Sequence, residues 1–243
     1  AAASPIRFTE PSSAELDIAR IGHMDSAVAI SPDGHAVVWV GFDGQKTLLF
    51  SRHLDESEAR PVRGTEGALA PFFSPDSEWI GFWADGKIKK VALRGGAPQT
   101  ICEADHIHGA SWGDGFIILG LGAGGTLASV DLASGEIDQL AVWDDLNFLT
   151  SYPRVLPGSN SALVSGTDGK HVGLFDLETG EVSLLLAEGS NATYVSSGHL
   201  VWLWGDSLLA APFDLESLTL TGNAQTVVDG VLTDRKRRKH SRE

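Results

Sequence analysis

The sequence predicts an all-β chain: a β-propeller of four-stranded antiparallel blades, five in number, with six as the alternative. Three observations carry that expectation. Short apolar runs rich in Ile, Val, Phe and Trp alternate with turns containing Pro, Asp and Gly, which is the signature of strands rather than helices. The runs come in groups of four. The groups recur at blade spacing, with Ser-Pro-Asp-Gly beginning at Ser31 and Ser-Pro-Asp-Ser at Ser74, 43 residues apart.

The clearest group is 67–102. Its runs 69–73, 79–83, 88–93 and 99–102 are separated by turns at 74–77, 84–86 and 94–96. The Asp85-Gly86 turn is a hairpin signal, because a two-residue connection that matches strand twist needs positive φ, which Gly and, less readily, Asp accept. One such meander cannot bury both of its faces, so it requires neighbours of its own kind.

The remaining groups follow in order. Residues 1–21 form an amino-terminal segment in which 6–9 is a candidate ring-closing strand, fenced by Pro5 and Pro11. The first blade uses 27–30, 36–40, 46–52 and 59–62. The third uses 110–112, 116–119, 127–132 and 137–142, and the fourth uses 152–156, 162–164, 171–176 and 182–186. The fifth uses 193–195, 200–204 and 207–213, then a longer connection through Gly222 to 224–228. The propeller is thus expected over 22–231, with 232–243 as a basic disordered tail. Near-continuous apolar runs such as 37–40 and 200–204 suit central strands covered on both faces.

Composition narrows the function. A hydrophobic content of 42% supports a real core, and the single Cys102 excludes an intrachain disulfide and a cysteine zinc cluster. No run approaches the roughly 18 apolar residues that a membrane helix needs. The opening residues lack the basic and apolar regions of a signal peptide, as those of a processed chain also would, so a soluble protein is expected and its compartment stays open. The net charge is −14, and it deepens to −18 once the last ten residues, six of them Lys or Arg, are set aside. Such a body repels nucleic-acid phosphates.

Ser-Pro-Asp-Gly at 31–34, the stretch 80–102 (IGFWADGKIKKVALRGGAPQTIC) and the stretch 191–231 resemble the TolB-like, WD40-like (PD40) β-propeller repeats. The likeness is strongest to the propellers at the C-terminus of many bacterial serine/threonine protein kinases. It covers roughly 7–231 and implies the fold, while for activity it implies a binding platform. Neither a glycine-rich nucleotide loop nor an HRD-type loop is present. Further blades usually follow a stretch like 219–231 in that family, so the ring is expected either to close with 6–9 or to hide an open edge in a partner.

Catalytic motifs are missing: there is no G-x-S-x-G elbow, H-E-x-x-H or P-loop. In a propeller, the segments joining one blade's outer strand to the next blade's inner strand converge at one mouth of the channel. They supply His23, Asp25, Glu66, His106, His108, Asp144, Asp145 and Asn191 as candidate binding residues. Carboxylates and imidazoles gathered there can hold a basic peptide group or a divalent cation. His106-Ile107-His108 is the sharpest pattern, since on one strand the two imidazoles would share a face. The expected function is a noncatalytic interaction module with a protein or peptide partner, no cofactor, and a homodimer through an open blade edge as one way to associate. The alternative is a lyase or hydrolase with a metal in the channel.

Overall fold

The computed structural model describes residues 27–122, 126–141, 150–166 and 169–231. Five antiparallel sheets follow one another along the chain. The first comprises β1 (Val28–Ile30), β2 (Ala36–Phe42), β3 (Thr47–His53) and β4 (Arg60–Pro61), and the second β5 (Leu69–Phe73), β6 (Trp79–Ala84), β7 (Lys87–Ala92) and β8 (Gln99–Glu103). The third holds β9 (Ile107–Trp112), β10 (Phe116–Leu121), β11 (Thr126–Asp131) and β12 (Ile137–Ala141), and the fourth β13 (Thr150–Val155), β14 (Ser161–Gly166), β15 (Val172–Asp176) and β16 (Val182–Leu186). The fifth holds β17 (Ser190–Val195), β18 (His199–Trp204), β19 (Ser207–Asp214), β20 (Thr219–Leu220) and β21 (Gln225–Val228). Every sheet is a meander in chain order, so the chain is an all-β propeller of five blades. Among the described residues there is no helix, and so none long and apolar enough to cross a membrane. The candidate ring-closing strand at 6–9 and the tail at 232–243 lie outside the described residues.

Two compact units divide the chain, one of Ala1–Ile117 with Val130–Ile137, the other of Ile118–Ser129 with Asp138–Glu243. In the first, Val38, Val40 and Leu49 of blade 1 pack against Ile80, Phe82, Ala84 and Val91 of blade 2. In the second, Leu163, Val172 and Leu186 of blade 4 pack against Leu200, Trp202, Ala211 and Phe213 of blade 5. Fully burying one such side chain contributes on the order of 1.5–3 kcal/mol. The near-continuous burial of β2 and β14 follows from this: their strands are covered on both faces.

The turns explain the repeat. Ser31 Oγ donates to Asp33 Oδ1, which also accepts from the His35 N–H at 2.9 Å, while the Ala36 N–H donates to Ser31 Oγ at 2.9 Å. Ser74, Asp76, Glu78 and Trp79 repeat this wiring in blade 2. Ser77 Oγ then accepts the Asp33 N–H at 3.2 Å, tying the two turns together. Asp85 and Gly86 both take positive φ, 54° and 71°, as the two-residue hairpin between Ala84 and Lys87 requires. At the other hairpins, Asp131, Asp176 and Asp214 each accept the backbone N–H groups two and three residues ahead.

Outer strands stop where the sequence removes donors. Pro61 has no N–H, and β4 is two residues long; the Thr65 hydroxyl, fully buried, takes over by accepting from the Leu49 N–H at 2.9 Å and donating to the Val62 carbonyl at 2.6 Å. In blade 5 the longer connection expected through Gly222 is a ladder interrupted opposite Pro212. There β19 pairs with β20 on one side and β21 on the other, and Gly222 lies against the proline ring.

Gly81 makes room for a contact between blades. It pairs with Phe72, whose ring lies where a Cβ on residue 81 would come within 2.3 Å, and that ring meets Trp112 of blade 3 at 5.8 Å between centroids. Gly81→Val is expected to destabilise the chain by about 1–3 kcal/mol through overpacking, read from the urea midpoint; an unchanged midpoint would count against this packing.

The turn carboxylates set an acid limit. Asp76 is held below its ordinary value first by the Ser74 hydroxyl and then by the Glu78 N–H, so the unfolded chain takes up the proton at higher pH than the folded one. Its stabilisation is therefore complete above the ordinary carboxylate value and lost as pH falls through the lowered one. Wild type should exceed Asp76→Asn in urea midpoint at pH 7, with the gap closing below about pH 4. A gap that widens in acid would refute the assignment.

Candidate functional site

Each blade has two ends. The one carrying the Ser31-to-Asp33 type of turn is consumed by its own hydrogen bonds. The other carries the hairpin between the second and third strands, and over it runs the segment that follows the blade's outer strand. That segment is fastened to the hairpin by a main-chain bond: Gly67 N–H to Thr47 O at 2.9 Å, Ala104 N–H to Gly86 O at 2.8 Å, Gly189 N–H to Lys170 O at 2.7 Å and Val231 N–H to Asp206 O at 2.7 Å. Trp83 Nε1–H adds a bond to the Ala104 carbonyl at 2.7 Å. The backbone at this end is thus fixed while its side chains remain exposed.

In the first unit, Glu66 sits on such a segment and pairs with Lys46 at 3.3 Å. Its carboxyl lies below the usual range, first through its own backbone N–H and then through the Lys46 ammonium. Asp85 pairs with Lys89 and Glu103 with Lys87, both at 3.1 Å. A methyl built on Gly67 would stand 3.7 Å from Asp85 Oδ1, and one on Gly86 would stand 3.8 Å from Asp105 Oδ1, so these acids border the same fastened segments. Exposed pairs like these add at most about 1 kcal/mol each and act mainly by shaping surface potential.

His106 is exposed, just ahead of β9, with Nδ1 at 2.7 Å from the Asp105 carbonyl oxygen. A carbonyl only accepts, so in the neutral ring the proton sits on Nδ1 and Nε2 is left as an acceptor towards solvent. His108 is half-buried within β9, and Ile107 between them is buried. The alternation along β9 therefore sets His108 on the face opposite Ile107, while His106, outside the strand, is not placed by it. Asn191 belongs to the other unit; its N–H donates to Ser165 Oγ at 3.1 Å and its side chain is exposed. His23, Asp25, Asp144 and Asp145 lie outside the described residues. Among the described residues, no three His, Cys, Asp or Glu side chains gather as a metal-binding set.

The structure adds a feature that sequence reasoning missed. The innermost strands of blades 2, 4 and 5 each carry a bulge, between Leu69 and Phe72, between Ser151 and Arg154, and between Ser190 and Thr193. Each bulge holds a residue at positive φ: Ala70 at 49°, Tyr152 at 57° and Asn191 at 52°. In blade 3 Gly109, directly after His108, takes 94°. An L-residue there costs about 1–2 kcal/mol, sustained by the ladder around it. Bulges bend a strand and turn its backbone groups out of the ladder, here at Ala70, Tyr152 and Asn191. The available signal was Pro71 and Pro153, which cannot donate to a ladder and so mark a bulge inside a strand.

Ala70→Gly is expected to keep or raise stability, whereas Ala70→Val, β-branched at positive φ, should lower it by more than about 1 kcal/mol. Thermal unfolding of the two variants decides the matter; equal loss in both would mean the bulge stores no strain.

No protein-family model matches the sequence. None of the curated proteins matches it either. Among solved structures the chain is similar to a putative TolB from Agrobacterium tumefaciens, at 16% identity with a TM-score of 0.62, covering 84% of this chain and 80% of that one. It is similar to TolB from Acinetobacter baumannii at 15% identity and a TM-score of 0.61, covering 84% of this chain and 55% of that one, so it spans about half of that protein's length. An oligogalacturonate lyase in complex with manganese aligns at 15% identity and a TM-score of 0.53, covering 82% of this chain and 64% of that one. Likeness at this level of identity shows a shared TolB-like β-propeller fold.

Proposed function

We propose that this chain is a noncatalytic recognition module that takes a protein or peptide partner on the blade ends where Glu66, Asp85, Asp105 and His106 are exposed and His108 is half-buried. The observation that carries this is the main-chain bond fastening three inter-blade segments, and the segment after β21, to the hairpins beneath them at 2.7–2.9 Å. A surface held in this way loses little conformational freedom on binding. Its acids, on a chain of net charge −14, select a basic segment, and they steer it at low salt. His23, Asp25, Asp144, Asp145 and Asn191 belong to the same proposal by their place in the chain. The setting is an aqueous compartment, bacterial periplasm or cytoplasm.

A second reading, a lyase or hydrolase using a channel metal, draws on the fold shared with the manganese-bound oligogalacturonate lyase. His106 keeps Nε2 open as a ligand atom, but among the described residues no third ligand joins His106 and His108.

Calorimetry with a library-selected Lys/Arg-rich peptide separates the two readings. Glu66→Lys combined with Asp105→Lys should weaken binding at least tenfold at low salt, with the difference shrinking at about 0.5 M salt. Unchanged affinity would overturn the module. Stoichiometric manganese that is lost in His106→Ala and His108→Ala would establish the enzyme instead.

A further inference from the structure

Blades 2 and 5 are built alike at their fastened ends. In blade 2 the second strand closes on Ala84, a two-residue hairpin follows at Asp85-Gly86, and the third strand opens on Lys87, with Glu103 across from it on β8. In blade 5 the same places hold Trp204, the hairpin Gly205-Asp206 and Ser207. Leu208 is paired with Val228 there, and the next residue along, Asp229, accepts from the Ser207 hydroxyl. The main chain supports the match, since Val231 N–H donates to Asp206 O just as Ala104 N–H donates to Gly86 O. Directly opposed residues point to one side of a sheet, so Trp204, Ser207 and Asp229 share a face, as Ala84, Lys87 and Glu103 do.

The three places are filled differently. In blade 2 the Lys87 ammonium stands 3.1 Å from Glu103 Oε1 and balances its charge, and Ala84 is fully buried. In blade 5 a serine replaces the lysine. A hydroxyl bonds a carboxylate but carries no charge, so Asp229 keeps its own, and among the described residues it forms no ion pair. Trp204 replaces the alanine and is 51% exposed, with no ring contact among the described residues. An acid and an aromatic face thus stand side by side in a frame that elsewhere holds an acid with its ammonium.

We propose that Trp204 and Asp229 form a subsite for one ammonium or guanidinium group, supplied by a lysine or arginine of a bound partner. The in-chain pair of blade 2 shows that this frame accommodates a cation beside its acid, and the serine at 207 removes the cation from blade 5. The indole face attracts positive charge, and Asp229 supplies the countercharge. An alkyl stem lying along the indole gives the site a preference for a cationic side chain over an inorganic ion. The inference rests on the reading of a basic partner only for where the cation comes from; the site itself is made of blade 5 residues alone.

The test follows the Trp204 indole N–H signal by two-dimensional NMR on the whole chain, identified as the signal absent from Trp204→Leu. Arginine capped as its N-acetyl methylamide should shift that signal, and glutamine capped in the same way should not. The Lys/Arg-rich peptide should shift it at a concentration at least tenfold lower. Trp204→Leu and Asp229→Asn should each weaken the peptide about two- to fivefold, the range of an exposed cation–π contact. Ser207→Lys places an ammonium beside Asp229 as Lys87 does beside Glu103, and should abolish the response to capped arginine with an unchanged circular dichroism spectrum. Should that variant fold poorly, Asp229→Asn should lose the response and Ser207→Ala, which adds no charge, should keep it. Capped arginine that moves nothing, or a shift that survives in Asp229→Asn, would overturn the subsite. A peptide that binds no more tightly than capped arginine would assign the site to free small cations and overturn the partner. Capped arginine that shifts Trp204 while the peptide ignores Glu66→Lys with Asp105→Lys would sink the acid-lined module and uphold this subsite.

Discussion

A four-stranded meander of some forty residues presents two apolar faces and has no layer of its own with which to cover them. Everything else in this chain follows from that shortage of cover. Side chains such as Val38 and Phe82, both fully buried, gain their burial from the adjoining blade and not from their own sheet. The sequence consequently carries strands that are apolar on consecutive residues instead of alternate ones, and burial along β2 and β14 is continuous for the same reason. Small residues appear where two faces would otherwise collide. Gly81 gives up its side chain so that the Phe72 ring can lie flat and still reach Trp112.

With the interior committed to apolar contact, polar work falls to the blade ends, and the two ends are used differently. At one, serine and aspartate side chains satisfy backbone donors within the turn, as Ser31 and Asp33 do, and little capacity is left for a ligand. At the other, main-chain groups fasten the crossing segments and leave the carboxylates of Glu66, Asp85 and Glu103 to pair loosely with lysines. Loose exposed pairs contribute little to stability, which makes them free to exchange partners. A division of labour between ends thus arises from which groups, backbone or side chain, do the local bonding.

Much of this architecture was legible beforehand, and for a physical reason. Turn chemistry is local: Asp85-Gly86 must take positive φ whatever surrounds it, and the spacing of Ser31 and Ser74 counts out one meander. Strand identity, blade order and blade number are sums of such local facts. The candidate site is of another kind. Whether His106 and His108 share a face depends on where β9 begins, and the structure begins it at Ile107, between them. The bulges at Ala70, Tyr152 and Asn191 depend on the neighbouring ladder holding a strained residue in place, which a pattern of apolar positions does not encode. Only the prolines at 71 and 153 advertised them. Likewise the divided outer edge of blade 5 traces to Pro212 on the adjoining strand, a cross-strand cause for what looked like a long loop.

The strained residues also bear on why the chemistry sits where it does. A bulge inside a sheet is tolerated only if the pairs on either side outweigh its cost, and Leu69 with Trp83 and Phe72 with Gly81 bracket Ala70 in this way. The innermost strand is free of a ladder partner on its far side, as the outermost strand is, so it can carry the extra residue without breaking two ladders at once. Repeating the device in blades 2, 4 and 5 places irregular, outward-turned backbone at Ala70, Tyr152 and Asn191, and Gly109 takes a positive φ beside His108. Regular sheet supplies the stiffness and its deliberate interruption supplies the polar groups; the same strand can do both because its neighbours on one side are enough to hold it.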